Sequence, residues 1–273
     1  MPVLRFVHSL QAPGYGASMT RNQTGRTAFV TGAARGIGEA IAQVLAADGH
    51  AVVVADLLSG EAQQSAQRVE EAGGRAIGVA VDVTDTAAVG AAVRVAEDAF
   101  GAVDILVNCA GWDALMPFVD TDEALWDRVV DINFKGVLRT THATLPGMLE
   151  RGHGRIINIG SDAGRVGSSL ESVYAGAKAG VIAFTKTIAR EAARRGVTAN
   201  VVCPGPTDTP MLRGIIEASD DGDKVIAAMT RAVPMRRLGT PQEVAAAVRF
   251  FAREDAGFIT GQTLSVSGGL TMA

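Results

Sequence analysis

Cysteine is scarce: the chain of 273 residues has two, Cys109 and Cys203, each closing an apolar run. Two thiols build no disulfide framework, and with four scattered histidines they make no metal cluster, so both read as free buried thiols of a reducing compartment. Positive charge is also short. Lysine and arginine total 25 against 29 acids, a net charge of −4, which leaves no basic footprint for nucleic acid or an anionic membrane. Proline is sparse at nine while glycine reaches 32, a balance that favours tight turns over disorder. No apolar run approaches the roughly 18 residues of a helical membrane span, so a cytoplasmic location is expected.

The opening stretch, "MPVLRFVHSLQAPGYGAS", differs from the rest of the chain. Arg5 and His8 interrupt its apolar patch, so it lacks the uninterrupted region of about 7–15 residues that a secretory signal needs. Met19 is an alternative start. Residues 1–24 are therefore expected to be a loose arm or a misassigned beginning, and residues 25–273 one domain.

What the chain does have is alternation. Short β-branched runs ("TAFVTG", "HAVVVAD", "RAIGVAVDV", "VDILVNCAG", "GRIINIGS", "VTANVVCPG") each precede a longer alanine-rich stretch, and "QTLSVSGG" supplies a seventh. Continuous apolar strands separated by helices predict a parallel sheet covered on both faces, a single doubly wound α/β Rossmann domain of about seven strands. Before the last strand, Thr240, Pro241 and Glu243 spell an N-cap, a first-turn proline and a capping box. Ligands of such sheets bind beyond the carboxyl ends of the strands. Gly32, Asp56, Asp82, Asn108, Ser161 and Pro204 all fall there.

"TGAARGIG" leaves the first strand and opens the first helix. Gly32, Gly36 and Gly38 allow a sharp turn and close approach, and the helix start at Ile37 offers N–H groups to a pyrophosphate. The spacing is G-x-x-x-G-x-G, so a purely structural loop stays open. Asp56, ending the second strand, either accepts the hydrogen bonds of an adenosine ribose diol or caps the next helix. Arg35, within the glycine loop, is suited to a 2′-phosphate; one carboxylate facing the ribose outweighs it, so NAD is expected over NADP. Asp82 and Val83, after the third strand, either hold the adenine edge or start the next helix.

"SVYAGAKAG" puts Tyr174 and Lys178 at i and i+4, on one helix face, among small residues. Ser161 ends the fifth strand, and Asn133 lies mid-helix in "VVDINFKGVL", where asparagine implies a local bond or a bound water. These four make a proton-handling set. A tyrosine working near neutrality needs its pKa brought down from about 10 towards ~7, worth about 4 kcal/mol of preference for the phenolate. The Lys178 ammonium, with an oxidised nicotinamide, is the expected source. The missing bulk at Ala175, Gly176, Ala177 and Ala179 makes room for a cofactor ribose or a packing helix.

With "NCAG" at 108–111, "YAGAK" at 174–178 and "PGPTDT" at 204–209, residues 25–273 resemble the short-chain dehydrogenase/reductase family. The resemblance implies hydride transfer between a nicotinamide and a carbonyl or secondary alcohol. It implies Tyr174 as acid/base, Lys178 as its partner and ribose ligand, Ser161 on the substrate oxygen, and Asn133 anchoring a water. It places Asn108, Ala110, Gly111, Pro204, Gly205, Thr207 and Thr209 along the cofactor. Cys109 departs from the second asparagine common there, with little expected consequence because that position contributes backbone.

"NCAGWD", "GRIINIGSDAGRVGSS" and "DAGFITGQTLSVSGGLTM" further resemble the branch that oxidises 2-hydroxycyclohexanecarboxyl-CoA, with Trp112, Asp113, Asp162 and Arg165 facing substrate. The 3-oxoacyl-acyl-carrier-protein reductases are the next branch, an NADP-linked alternative. A CoA thioester substrate and a homotetramer are implied by the same resemblance. The segment 205–237 is implied as a substrate flap, whose Arg213, Lys224, Arg231, Arg236 and Arg237 either meet CoA phosphates or are simply solvated. A nucleotide sensor without catalysis is the rival of another class, disfavoured because a sensor has no use for a tuned phenol.

Overall fold

The computed structural model describes residues 25–217 and 222–272; the expected arm, 1–24, lies outside them. Seven strands form one all-parallel sheet: β1 (Thr27–Thr31), β2 (Ala51–Asp56), β3 (Arg75–Ala80), β4 (Val103–Asn108), β5 (Gly154–Ile159), β6 (Val197–Pro204) and β7 (Thr263–Val266). Their order is β3-β2-β1-β4-β5-β6-β7.

Side chains alternate across a strand, so each strand feeds two cores. Ala28, Val30, Val52, Val54, Ile105 and Val107 join Ile41 and Leu45 of helix α1 (Gly36–Ala47), Val69 of α2 (Ser59–Glu71), and Val248 and Phe251 near the chain end. Phe29, Val53, Leu106 and Ile156 point the other way. They meet Val89 and Val93 of α3 (Thr86–Phe100), Met148 and Ile188. Burial on both faces is why these strands read as unbroken apolar runs.

The second face is completed by α4 (Glu123–Val130), a π-turn (Asp131–Lys135), α5 (Gly136–Arg151), the short α6 (Ala163–Val166) and α7 (Ser172–Ala192). In the segment expected as a flap lie α8 (Pro210–Glu217) and α9 (Gly222–Ala232). Helix α10 (Pro241–Ala252) opens on the expected capping box: Glu243 N–H donates to Thr240 Oγ1 at 3.3 Å, and Thr240 N–H to Glu243 Oε2 at 2.8 Å. Among the described residues no helix is long and apolar enough to cross a membrane, and no acid, histidine or cysteine cluster could hold a metal.

The chain runs outward from β1 to β3, then returns to β4 on the other side of β1. That reversal opens a crevice past the carboxyl ends of β1 and β4, the position where doubly wound sheets take ligands.

Candidate active site

The crevice begins at the glycine loop. Thr31 is paired with Asn108 across the sheet, which brings Gly32 against the loop after β4. A Cβ on Gly32 would lie 2.7 Å from the Ala110 Cα, and its φ of +64° is itself left-handed. A Cβ on Gly38 would meet the Gly32 carbonyl oxygen at 2.1 Å. Only glycine permits this approach. Arg35 occupies the N-cap of α1 without capping it, so no side chain engages the first N–H groups around Gly36 and Ile37. An uncapped helix start beside a tight glycine turn suits a pyrophosphate. Thr31 Oγ1 accepts the N–H groups of Cys109 and Ala110 at 3.1 and 3.2 Å, so Cys109 does contribute backbone here.

Asp56 accepts the Ala34 N–H on Oδ2 and the Leu58 N–H on Oδ1, both at 3.0 Å. It thus ties the glycine loop to the end of β2, and each carboxylate oxygen keeps a second lone pair for a ribose hydroxyl. The Arg35 guanidinium is exposed and has no ion-pair partner among the described residues. Asp82 accepts the N–H and hydroxyl of Thr84, while the cap of α3 is Asp85; the alternative that Asp82 caps that helix falls away. Val83, beside it, packs against Gly136 with its carbonyl held by Arg139.

Asn108 can meet a cofactor only through its backbone. Its side chain turns into the core, accepting from Thr140 Oγ1 at 2.6 Å and donating to Asn158 Oδ1 at 2.8 Å. Asn158 continues the ladder to Thr185. Only the backbone of Asn108 is left for a ligand. Beyond β6, Gly205 presses on Ser267, Thr207 bonds the Gly205 carbonyl and bridges to Gly239, and Thr209 caps α8 while its methyl lies beside Gly36. The segment from Pro204 to Thr209 therefore borders the glycine loop.

Ser161 stands just past β5, and its hydroxyl is hydrogen-bonded to the Tyr174 phenol. Lys178 is buried, at 3% exposure, with Nζ donating to the Ile159 carbonyl at 2.9 Å and lying 5.6 Å from the Tyr174 ring centre. Burial lowers its pKa to about 8. The small residues around it now have a physical reason. Gly164 of α6 sits with its Cβ position 2.8–2.9 Å from Lys178 and Ala179 atoms, while the Cβ position of Gly176 faces open space.

On the phenol itself the protein acts in the opposite sense. Burial raises the Tyr174 pKa, the carboxylates of Glu171 and Asp113 raise it further, and only the Ser161 hydrogen bond opposes them. The expected counterweight is the Lys178 ammonium together with an oxidised nicotinamide, and that ammonium is itself held by the Ile159 carbonyl.

Asn133 lies in the π-turn, fully buried. Its Nδ2 donates to the carbonyls of Trp112 (2.7 Å) and Val129 (2.9 Å), and its Oδ1 accepts the Trp112 N–H at 3.3 Å. The local bond expected of a mid-helix asparagine is thus a clamp on the loop after β4. The π-turn accommodates it, a distortion often found at functional sites. Trp112 also carries the Arg128 guanidinium 3.8 Å from its ring centre.

Asp162 and Arg165, expected to face substrate, are turned to Ser265 on β7: Ser265 Oγ donates to Asp162 Oδ1, and Arg165 Nη1 to Ser265 Oγ at 2.6 Å. Both side chains anchor α6 to the sheet. Glu171 is a site neighbour that the sequence motifs do not include, and Thr31 opens "TGAARGIG" without being among the expected cofactor residues. Glu171, three residues before Tyr174, has a local signal all the same, since that spacing sets it at the N-cap one turn before the phenol.

A family model described as enoyl-(acyl carrier protein) reductase matches residues 32–271. With the glycine cradle at β1 and the Ser161, Tyr174 and Lys178 set beside it, the chain belongs to the short-chain dehydrogenase/reductase family of NAD(P)-dependent oxidoreductases. The short-chain reductase protein NovJ of Streptomyces niveus is 42% identical over 89% of this chain and 92% of its own length. The 3-oxoacyl-[acyl-carrier-protein] reductase FabG of Vibrio harveyi is 42% identical over 92% of this chain and 99% of its own. The crystal structure of an actinorhodin polyketide ketoreductase variant with NADPH superposes with a TM-score of 0.87 at 37% identity, covering 91% of this chain and 98% of that one.

Proposed function

We propose that the protein interconverts a 3-oxoacyl thioester and its 3-hydroxy form. The observation that carries the reading is the pairing of the Tyr174 phenol with the buried Lys178, whose Nζ lies 5.6 Å from its ring centre, beside the glycine turn after β1. That phenol is the proton donor for a carbonyl oxygen. Relatives named as 3-oxoacyl and polyketide ketoreductases support the reductive sense. The cyclic thioester expected from the sequence, 2-hydroxycyclohexanecarboxyl-CoA, fits the same reaction centre. Its ring hydroxyl sits on the carbon β to the thioester, so the two substrates differ in the acyl group and not in the bond made.

A bound nicotinamide cofactor supplies or accepts the hydride. Ser161 donates a hydrogen bond to the substrate oxygen. Tyr174 gives its proton to that oxygen in reduction and takes it back in oxidation. Lys178, fixed by Ile159, keeps a positive charge near the phenol when ionised. Asn133 holds the loop carrying Trp112 against the site.

For the cofactor, Asp56 favours NAD, since a carboxylate ending β2 would repel a 2′-phosphate on the adenosine ribose. NADP is the second reading, favoured by the exposed Arg35 and by the ketoreductase solved with NADPH. The same functional reading carries a CoA or carrier-protein thioester in the cytoplasm and a homotetramer, the last tested by light scattering. Initial rates of acetoacetyl-CoA reduction with NADH and NADPH, beside oxidation of 2-hydroxycyclohexanecarboxyl-CoA, test the whole. Turnover of neither thioester would overturn the substrate class.

A further inference from the structure

Asp113 is 7% exposed, yet its Oδ2 has no hydrogen-bond partner. A buried polar oxygen left alone is costly, and in a substrate cleft it points to a ligand that completes it. The loop that carries Asp113 is fixed from both sides. Asn133 clamps Trp112, and Met116 N–H donates to the Leu170 carbonyl at 3.1 Å. Leu170 adopts a φ of 69°, a left-handed conformation that a leucine holds only when its surroundings impose it. That turn delivers Glu171 to the head of α7, where its carboxylate acts on the Asp113 carboxyl. Both groups act on the Tyr174 phenol, so Asp113 stands beside the reacting position.

We propose that Asp113, backed by Glu171, is the specificity subsite that donates a hydrogen bond to the second carbonyl of the substrate, the thioester C=O of a 3-oxoacyl thioester. This rests on the proposed function above. A 1,3-dicarbonyl substrate presents two acceptor oxygens on carbonyl carbons separated by one carbon. Ser161 and Tyr174 take the ketone, and a neutral carboxylic acid is the matching donor for the other. Burial, with Glu171 adding like charge, pushes the Asp113 carboxyl up to about 7; the Ala114 N–H and the more distant Lys178 ammonium pull the other way. Tyr174, also facing it from α7, is neutral. Below that pH Asp113 carries the proton and donates; above it the donor is lost and two carboxylates face each other.

The test compares wild type, Asp113→Asn and Asp113→Ala for kcat/KM on acetoacetyl-CoA from about pH 6 to about pH 9, with cofactor affinity measured by nucleotide fluorescence. Losing one neutral hydrogen bond predicts a fall of roughly 3–10-fold in Asp113→Ala, mostly in KM, with cofactor affinity unchanged. Asp113→Asn keeps an N–H donor, so it should restore most of the loss and flatten the wild-type decline near pH 7. An unchanged kcat/KM in Asp113→Ala, a loss of cofactor affinity in step with it, or a pH limb that survives in Asp113→Asn would each overturn the assignment. No turnover of acetoacetyl-CoA by wild type would overturn the functional reading as well, which separates the two failures.

Discussion

Replacing Asn133 by alanine tests whether that residue acts by holding a loop. Its amide makes three hydrogen bonds, two to the Trp112 backbone and one to the Val129 carbonyl, all in a fully buried place. At about 1 kcal/mol each, their loss predicts about 3 kcal/mol of destabilisation, and more where the stranded backbone groups stay dry. For a chain of this size each kcal/mol moves Tm by roughly 2–4 °C, so a drop of about 6–12 °C is expected. Asn133→Asp should be no better, since it sets an oxygen against two carbonyl oxygens. The loop can be watched directly, because Trp112 lies under Arg128 and the only other tryptophan is Trp126. In a Trp126→Phe background, Asn133→Ala should shift the Trp112 emission as the loop loosens, while urea unfolding reports the stability loss. A variant that unfolds within about 1 kcal/mol of its parent, with unchanged emission and lost turnover, would refute the clamp. It would assign Asn133 to the reaction itself.

Three further outcomes are expected from the same geometry. Tyr174→Phe should bind cofactor normally and lose roughly 10³-fold or more in kcat; near-normal steady-state turnover would remove the phenol from the proton transfer. Asp56→Ala should weaken NAD and improve NADP: at about 5 Å and an effective dielectric near 60, a phosphate dianion is repelled by roughly 2 kcal/mol, some 30-fold. An unchanged NADP/NAD ratio of kcat/KM would show that Asp56 only fixes the Ala34 loop. Lys178→Met should abolish activity yet raise stability by about 1–3 kcal/mol, since it removes a buried ammonium with one hydrogen bond. Lys178 has a folded pKa lowered to about 8, below its unfolded value. The wild-type penalty is therefore complete below that pH and fades towards the ordinary lysine value, so the methionine advantage measured by urea unfolding should shrink over that window.

The strands are legible in the sequence because both faces of the sheet are covered, so the runs from "TAFVT" to "VTANVVCP" are mostly apolar, with polar exceptions such as Asn158 and Asn200 that are themselves buried. The capping box at Thr240 is legible because it is local. Asn108 is not, because whether a residue at a strand end faces ligand or core depends on its partner across the sheet. Here Asn158 and Thr140, distant in sequence, take both ends of its amide. The bonds of Asp162 and Arg165 to Ser265 are illegible for the same reason: Ser265 on β7 is about a hundred residues away, and nothing near α6 announces it. The balance on the Tyr174 pKa is not legible either, because the expected fall counts on an oxidised nicotinamide beside Lys178 and burial acts against it. Helical spacing correctly puts the ammonium nearby, but spacing carries no information on desolvation.

The start of α7 therefore gathers three groups of different character: Glu171 at its N-cap, and Tyr174 and Lys178 four apart on one face. The carboxylate at the head of the helix and Asp113 opposite it favour the protonated phenol, whereas an ammonium and the charge of an oxidised nicotinamide favour the phenolate. In the protein alone, burial and these carboxylates hold the Tyr174 pKa up. Binding an oxidised cofactor adds positive charge on the opposing side. The phenol should then titrate at lower pH in the binary complex with the oxidised cofactor than with the reduced one, which carries no such charge on its ring. Difference absorbance of tyrosinate in the two complexes measures this, with Tyr174→Phe as the blank. Equal titration in both would mean that burial and the two carboxylates alone set the proton affinity, leaving the cofactor charge without a role in it.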